Sequence, residues 1–250
     1  MKPTPATPTT PATPAVRGAR AAVATLPVSL PDGADVTIVD GSGDWPAAVR
    51  RALDGGDGAI VVVEPRIAEF GDLLNAPVFV DSPWASNPVV DRAALKVADG
   101  NRIECRVIAA PGCDLGDALL HQLTLIRALR SPMRALTIRY RSDNALYAEG
   151  TTDDVGVDFS VVCTTAVPTS ATVRLLTSDG SVELQIPSGE TAQPARLTSV
   201  GPDSAVLAPT IYETGHRATL RRLHDTAPAD LSHLYDDVQL VLAAVEGGQS

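Results

Sequence analysis

A continuously apolar run in the first half of the chain, Ala59–Val63 (AIVVV), limits the folds open to that half. Such a run is typical of a parallel strand covered on both faces, because a strand with one wet face alternates polar and apolar residues. Similar runs lie at 35–40 (DVTIVD) and 77–81 (PVFVD), and segments with helical signals, 44–53 and 67–74, separate the three runs. The sequence therefore predicts β-α-β units that close into a right-handed parallel sheet.

Hydrophobic periodicity changes in the second half. A Leu-rich helix is predicted over 114–131, and after it short strands alternate polar and apolar residues between turn signals such as Ser-Asp-Gly at 178–180. This pattern predicts a largely antiparallel sheet, and two closing helices, over 214–226 and 231–245, are expected to cover one of its faces. The alternating strands are predicted at 134–141, 157–165, 172–177, 181–186 and 195–199.

The predicted α/β chain has three parts. Residues 1–33 form a Pro/Thr/Ala-rich disordered tail and its lead-in, because the repeating Thr-Pro-Ala pattern offers no apolar face. A domain built on the parallel sheet follows over 34–110 and includes a helix at 89–98 and the strand Arg102–Ala109. Residues 111–250 form an α+β domain with an open-faced, largely antiparallel sheet.

Composition argues against several classes of function. A formal charge of −10 and a pI near 4.8 repel the phosphate backbone of nucleic acid, so we expect no nucleic-acid partner. No apolar run approaches the roughly 20 residues of a membrane span, and the N-terminus lacks the features of a signal peptide, so we expect a cytoplasmic protein without a membrane partner. Cys105, Cys113 and Cys163 have no close paired spacing and are interpreted as structural thiols.

Four segments, taken in order, resemble parts of a known family. AIVVVEP, ending at Pro65, resembles a strand that leads into a turn beneath a nicotinamide, and PVFVDSPWASNP, over 77–88, resembles a strand running into a Glu-Lys-Pro motif. TVRLLTSDGSVELQIP, over 172–187, resembles a late hairpin, and 223–246 is similar to a pair of closing helices. The order is that of the Gfo/Idh/MocA (glucose-fructose-oxidoreductase-like) dehydrogenases.

This resemblance implies an incomplete Rossmann-like parallel sheet followed by the open-sheet half. In an active member it implies NAD or NADP as the cofactor, bound where the two strand-end turns line a crevice, with Trp84 able to stack on the ligand. The cofactor-binding residues it implies are Glu64, Pro65, Asp81, Ser82, Pro83 and Trp84.

The chain departs from the family pattern at the positions that carry the chemistry. No glycine-rich loop follows an apolar strand between 16 and 31, and the later Gly-Ser-Gly-Asp at 41–44 is interpreted as a glycine turn with a helix cap, since the charge of Asp44 would repel phosphate. Ser82 replaces the lysine of Glu-Lys-Pro and cannot supply a cation. Active members also carry an Asp and a His where the second half opens. No H-x-x-D or D-x-x-x-H pattern is identified there, and His121, inside the Leu-rich helix, is interpreted as a packed or surface residue.

No metal site is predicted, and the catalytic residues stay unassigned. Glu213 and His216 are three residues apart, which alone is a weak metal signal, and His224 and His233 also lie near the C-terminus. Arg217, Arg221 and Arg222 on the same predicted helix are interpreted as a solvated face.

Three functions therefore remain open. In the first, the chain is a non-catalytic assembly or partner-binding subunit that pairs, through its open sheet, with a second copy or with a related active subunit. Alternatively, it is an NAD(P)-dependent oxidoreductase acting on a sugar- or polyol-like hydroxyl substrate. The third reading is an unrelated α/β domain whose motif order is coincidental.

Overall fold

Three parallel strands form the first sheet, as predicted: β1 (Val36–Asp40), β2 (Ala59–Val63) and β3 (Val78–Asp81), with β2 in the centre. The computed structural model describes residues 12–25, 36–56, 58–94, 101–153, 155–191, 193–223 and 230–247. Ile60 and Val62 of β2 face the main hydrophobic core, while Val61 and Val63 face a second, smaller cluster. Burial of both faces explains why the run contains no polar residue.

The helix predicted at 44–53 is present as α2 (Trp45–Gly55), but the one predicted at 67–74 is not. Asp44 caps α2 by accepting a hydrogen bond from the Ala47 amide, and Gly56 ends the helix at φ 75°. Between β2 and β3, only the single turn Gly71–Leu73 is helical. The segment before it is held instead by tertiary hydrogen bonds, because Arg66 N donates to Gly41 O and the Trp45 indole donates to Arg66 O.

The prediction of a disordered tail and lead-in is wrong for part of its length. Pro14–Ala24 forms a helix, α1, whose N-cap is Thr13, with Pro14 in the first turn. Val16, Ala19 and Ala22 are buried along one side and pack on the apolar cluster beneath β2. The spacing of three between these residues is a helical signal, although the residues are small. Residues 1–11 and 26–35 lie outside the described part of the chain.

The second sheet has eight strands in the order β11-β10-β9-β8-β4-β7-β6-β5. Its neighbouring pairs are antiparallel except β4 with β7, which is parallel. The strands are β4 (Arg102–Ala109), β5 (Ala135–Arg141), β6 (Ala145–Thr152), β7 (Val155–Cys163), β8 (Ser170–Leu176), β9 (Ser181–Pro187), β10 (Arg196–Val200) and β11 (Ala205–Leu207).

Strand β4 lies in a different sheet from the one to which the sequence analysis assigned it. It is a strand, as predicted, but it is hydrogen-bonded between β7 and β8 in the centre of the second sheet. Its residues alternate between exposed and buried, which suits a sheet with one covered face rather than the doubly covered first sheet. The change from one sheet to the other therefore falls before Arg102 and not near residue 110.

Helices cover one face of the second sheet, which confirms the predicted α/β class with its open-faced antiparallel half. They are α3 (Val89–Ala94), α4 (Leu115–Leu129) and α6 (Asp230–Gly247). The first of the two closing helices, α5 (Gly215–Arg222), packs instead on β3 of the first sheet and on α1, so the prediction that both closing helices cover the second sheet is wrong for α5. Arg127 of α4 and the fully buried Asp237 of α6 form an ion pair with an N–O distance of 2.6 Å. None of the helices in the described ranges has the length and apolar character needed to cross a membrane.

The opposite face of the second sheet carries charged side chains in pairs. Arg102 forms two hydrogen bonds of 2.6 Å to Asp158, and the Tyr147 hydroxyl donates to Asp158 and Glu149. Arg139 pairs with Glu149 at 3.0 Å. Contact of this face with a second subunit stays a prediction.

The approach of the β1–α2 turn to the end of β2 gives a stability test. A Cβ atom at Gly41 would lie 2.4 Å from the Val63 carbonyl oxygen and 2.5 Å from Pro65 Cα, whereas one at Gly43 would meet nothing within 4 Å. We expect Gly41→Ala to lower the free energy of unfolding by at least about 2 kcal/mol, and the matched Gly43→Ala to change it by less than about 1 kcal/mol. Urea denaturation measures both, and equal effects would contradict the described packing.

Candidate active site

A cleft of about 840 Å³ lies at the carboxyl edge of the three-stranded sheet. The ends of β1 and β2 form its floor, and the starts of α1, α4 and α5 form much of its wall. The turn between β9 and β10 reaches over it from the second sheet through Ser188, Gly189 and Glu190. A crevice at the carboxyl ends of parallel strands is the usual ligand site of open α/β sheets, so this cleft is the candidate site.

A carboxylate lies at this edge at the end of each of the three parallel strands: Asp40 ends β1, Glu64 directly follows β2, and Asp81 ends β3. Two of them have partners. Asp40 accepts a hydrogen bond from Ser42 N at 2.9 Å. Burial alone would raise the pKa of Asp40, but hydrogen bonds from Ser42 and Thr13 hold it below its ordinary value.

Asp81 is bound to α5. Its Oδ2 atom lies 2.5 Å from His216 Nδ1, and its Oδ1 atom accepts a hydrogen bond from Thr219 Oγ1 at 3.1 Å. Burial alone would lower the pKa of His216, but the hydrogen bond and charge of Asp81, together with the charge of Glu64, raise it. His216, which lines the cleft, therefore keeps its proton to a higher pH than an ordinary histidine does.

Glu64 is the carboxylate without a partner. No hydrogen bond reaches its side chain from the described residues, although the side chain is half-buried and lines the cleft. Burial is the main reason that its pKa rises to about 6, the charges of Asp81, Glu190 and Asp40 add to the rise, and His216 opposes it. Glu64 also has φ 51°, in the left-handed region that a non-glycine residue seldom adopts. A strained backbone and a perturbed carboxyl together are typical of functional sites.

The sequence analysis missed two residues of the cleft, Asp117 and His121. They are four apart on α4, so they lie on one side of the helix, and both line the cleft. Asp117 accepts a hydrogen bond from Ile67 N at 2.9 Å and lies 3.5 Å from Arg66 Nε. Burial lowers the pKa of His121 to about 4, so its imidazole is neutral at neutral pH. The Asp-x-x-x-His spacing at the opening of the second half was the signal that could have identified the pair.

The six residues predicted at a cofactor are only partly brought together. Glu64, Pro83 and Trp84 line the cleft, but Trp84 is mainly a core residue with 5 % of its surface exposed. Pro65 is buried beneath Gly41, and Asp81 contacts the cleft through His216.

Ser82, which stands where the family's Glu-Lys-Pro motif has its lysine, lies outside the main cleft. It lines a second cavity of about 320 Å³, on the side of Arg127 and Arg222. Its hydroxyl oxygen is buried without a hydrogen-bond partner among the described residues. The Ser82 side chain therefore does not line the main cleft, where a cofactor-binding role was predicted for it.

Nothing in the described residues brings three His, Cys, Asp or Glu side chains together as a metal site. His216 contacts Asp81, and Glu213 forms an ion pair with Arg221, so the two residues of the weak metal signal have separate partners. His224 lies outside the described residues.

Some of the β1–α2 turn's backbone donors are used internally, and two carboxylates accept from them. Gly41 N donates to Val63 O at 2.9 Å, Ser42 N donates to the Asp40 carboxylate, and Ala47 N donates to the Asp44 carboxylate at 3.2 Å. Two negative charges thus stand at the start of α2, where an incoming anion would need free N–H groups. This turn disfavours phosphate.

The raised pKa of Glu64 predicts how stability depends on pH. The folded protein holds the Glu64 proton up to about pH 6, whereas the unfolded chain releases it near pH 4.5. Stability is therefore lost as pH rises through this window, by about 2 kcal/mol at most. We expect Glu64→Gln to unfold at a higher urea concentration than the wild type at pH 7 but not at pH 4. The exposed Glu69→Gln is the control, and a Glu64→Gln variant that is less stable at pH 7 would contradict the assignment.

The sequence matches no protein-family model and no curated protein. Solved structures, however, share its fold. KijD10, a 3-ketoreductase from Actinomadura kijaniata, aligns over 86 % of this chain and 78 % of its own, with 14 % identity and a TM-score of 0.63. The dehydrogenase MviM from Clostridium difficile aligns over 85 % and 79 %, with 8 % identity and a TM-score of 0.66.

An inositol dehydrogenase homologue from Azotobacter vinelandii aligns over 88 % of this chain and 77 % of its own, with 15 % identity and a TM-score of 0.60. At these identities the likeness establishes the fold alone. The fold predicted from the sequence resemblance is confirmed: this chain has the fold of the Gfo/Idh/MocA-type oxidoreductases.

Proposed function

We propose that the chain is an enzyme that moves a proton within a carbonyl-bearing sugar bound in the cleft. Glu64 takes the proton from the carbon next to the carbonyl group while the carbonyl oxygen gains a proton, and the resulting enediol is then reprotonated on carbon as its hydroxyl proton is released. The observation that carries this proposal is Glu64, the one strand-end carboxylate of the described sheet without a partner. A carboxyl group with a pKa of about 6 can both accept and donate a proton near neutral pH. Asp40 and Asp81, at the ends of the flanking strands, are engaged in hydrogen bonds and are not available for this role.

The surrounding groups suit a ligand with hydroxyl groups. His216, held by Asp81, places positive charge near Glu64 and stabilises the carboxylate that forms when Glu64 releases its proton. The neutral imidazole of His121 can donate or accept a hydrogen bond without adding charge. Together with Asp117 and the Ser188–Glu190 turn, these groups can orient a polyhydroxyl compound against Glu64.

Names of the fold neighbours support this substrate class. KijD10 is described as a 3-ketoreductase, and the Azotobacter vinelandii protein was solved with NADH and myo-inositol. A 3-keto compound and a polyol both carry several carbon atoms that bear oxygen. The names therefore support a sugar as the ligand of this cleft, while the proton step is argued from Glu64.

The dinucleotide of those neighbours does not fit the residues present in this chain. A dinucleotide places its pyrophosphate against the N–H groups of the turn between a parallel strand and its helix. In the β1–α2 turn, Asp40 and Asp44 accept the hydrogen bonds of Ser42 and Ala47, and their charges repel a phosphate. The described first sheet also has no strand beyond β1 on the outer side of this turn.

An NAD(P)-dependent oxidoreductase is the second candidate. It is favoured by the fold neighbours, since KijD10 was solved with NADP and the inositol dehydrogenase homologue with NADH. The non-catalytic subunit predicted from the sequence is not our proposal, because the cleft keeps groups able to transfer a proton even though Ser82 is no substitute for lysine.

The proton-transfer proposal is tested with Glu64→Gln. The full chain is incubated in D₂O with a panel of aldoses and ketoses, and proton NMR follows both conversion and exchange of carbon-bound hydrogen. We expect Glu64→Gln to lower the rate by about a hundredfold or more, because general acid–base catalysis contributes about that much. Glu69→Gln should keep the wild-type rate. An equal rate in Glu64→Gln, or no reaction of the wild type with any member of the panel, would count against the proposal.

Titration with NADH and NADPH separates the two candidates. Excitation of Trp45 and Trp84 is followed by energy transfer to the reduced nicotinamide, and we expect no saturable micromolar signal from the wild type. Because charge repulsion is the reason, Asp40→Asn and Asp44→Asn should each strengthen the signal. Saturable binding of NADH or NADPH by the wild type, together with reduction of NAD⁺ or NADP⁺ by a polyol in a separate assay, would establish the second candidate.

A further inference from the structure

Two cysteines that are 50 positions apart in sequence meet at the edge of the cleft. The Sγ atoms of Cys113 and Cys163 are 2.7 Å apart, although the sequence spacing gave no sign of a pair. A disulfide bond is about 2.05 Å long, so the two sulfur atoms are already close to bonding distance. The third cysteine, Cys105, is buried within β4.

Backbone pairing holds the two cysteines in place. Ala109, the last residue of β4, is the register partner of Cys163 at the end of β7, and Thr164 N donates to Ala109 O at 2.9 Å. The chain then turns back, since Cys113 N donates to Ala110 O and Gly112 has φ 79°. The contact is therefore set by a strand pair and a tight turn, not by two mobile side chains.

The two thiols differ in access. Cys163 is buried, with 8 % of its surface exposed, whereas Cys113 is half-buried and lines the cleft. A small molecule that enters the cleft can therefore reach the sulfur atom of Cys113 and not that of Cys163.

We propose that Cys113 and Cys163 are a thiol pair that forms a disulfide bond at the wall of the cleft when the chain meets a low-molecular-weight disulfide such as oxidised glutathione. The Cys113 thiolate attacks one sulfur atom of glutathione disulfide, and one glutathione leaves as a thiolate that takes up a proton. The Cys163 thiolate then attacks the Cys113 sulfur atom and releases the second glutathione. The two cysteines lose two electrons and two protons, and the glutathione disulfide is reduced to two thiols.

The consequence is a covalent tie beside the proposed site. Cys113 immediately precedes Asp114, the N-cap of α4, and α4 carries Asp117 and His121 into the cleft. The disulfide would fix the start of α4 to the end of β7. Burial, the shared contact with Cys163 and the nearby Asp114 and Asp117 raise the pKa of Cys113 to about 12, so the reaction is expected to be slow at neutral pH and faster as pH rises.

Intact mass spectrometry tests the proposal. The folded full chain is incubated with oxidised glutathione, denatured and treated with N-ethylmaleimide. The oxidised chain should take up one maleimide, on Cys105, and the untreated chain three. Cys105→Ser should take up none after oxidation. Three maleimides, a glutathione adduct that persists on the wild type, or a disulfide-linked dimer would each overturn the proposal.

Single variants test the order of attack. Cys163→Ser should stop at a glutathione adduct on Cys113, and Cys113→Ser should remain free of glutathione because Cys163 is buried. An adduct on Cys163 in Cys113→Ser would contradict the assigned order. The oxidised wild type should also melt roughly 5 °C or more above the reduced form, since the bond closes a long loop. An unchanged Tm would contradict the tie.

Discussion

The close approach of the three parallel strand ends determines the rest of the site. Gly41 N donates to Val63 O, Arg66 N donates to Gly41 O, and Glu64 N donates to Asp81 O at 2.8 Å. These hydrogen bonds leave no room for a side chain at position 41 and hold the residue after β2 in the left-handed region. The Glu64 carboxyl is thereby presented to the cleft from a backbone that cannot relax without breaking the edge of the sheet.

Electrostatics then separates three similar groups. Asp40 faces backbone and hydroxyl donors, Asp81 faces His216 and Thr219, and Glu64 faces mainly other negative charges in a half-buried place. Burial and these charges make the Glu64 carboxyl hold its proton to a higher pH than an ordinary glutamate does, with a pKa of about 6. One sheet edge therefore carries a carboxyl group with a raised pKa next to two acids that are held by hydrogen bonds.

Local patterns in the sequence predicted most of the elements but not which elements pair with one another. AIVVV predicted a strand that is covered on both faces, and this is observed for β2. Helices α1 and α5 cover one face of this strand, and α2 covers the other. Arg102–Ala109 was recognised as a strand, but its choice between two sheets depends on pairing with β7 and β8, more than 40 residues further on. Helix α1 escaped because Ala19 and Ala22 bury little surface each, and their apolar stripe looks like low-complexity sequence.

The site shows the same limit. The spacing of Asp117 and His121 could have identified them, whereas the contact between Asp81 and His216 joins residues 135 positions apart, and no local pattern indicates it.

The position of β4 in the second sheet also affects how the chain acquires its fold. Strand β4 pairs only with β7 and β8, and α4, β5 and β6 lie between β4 and β7 in the sequence. The centre of that sheet therefore cannot assemble until β7 and β8 have left the ribosome. Contacts between such distant segments make folding slow. An emerging chain must therefore keep the apolar side of β4 out of other associations while the rest of the sheet is synthesised.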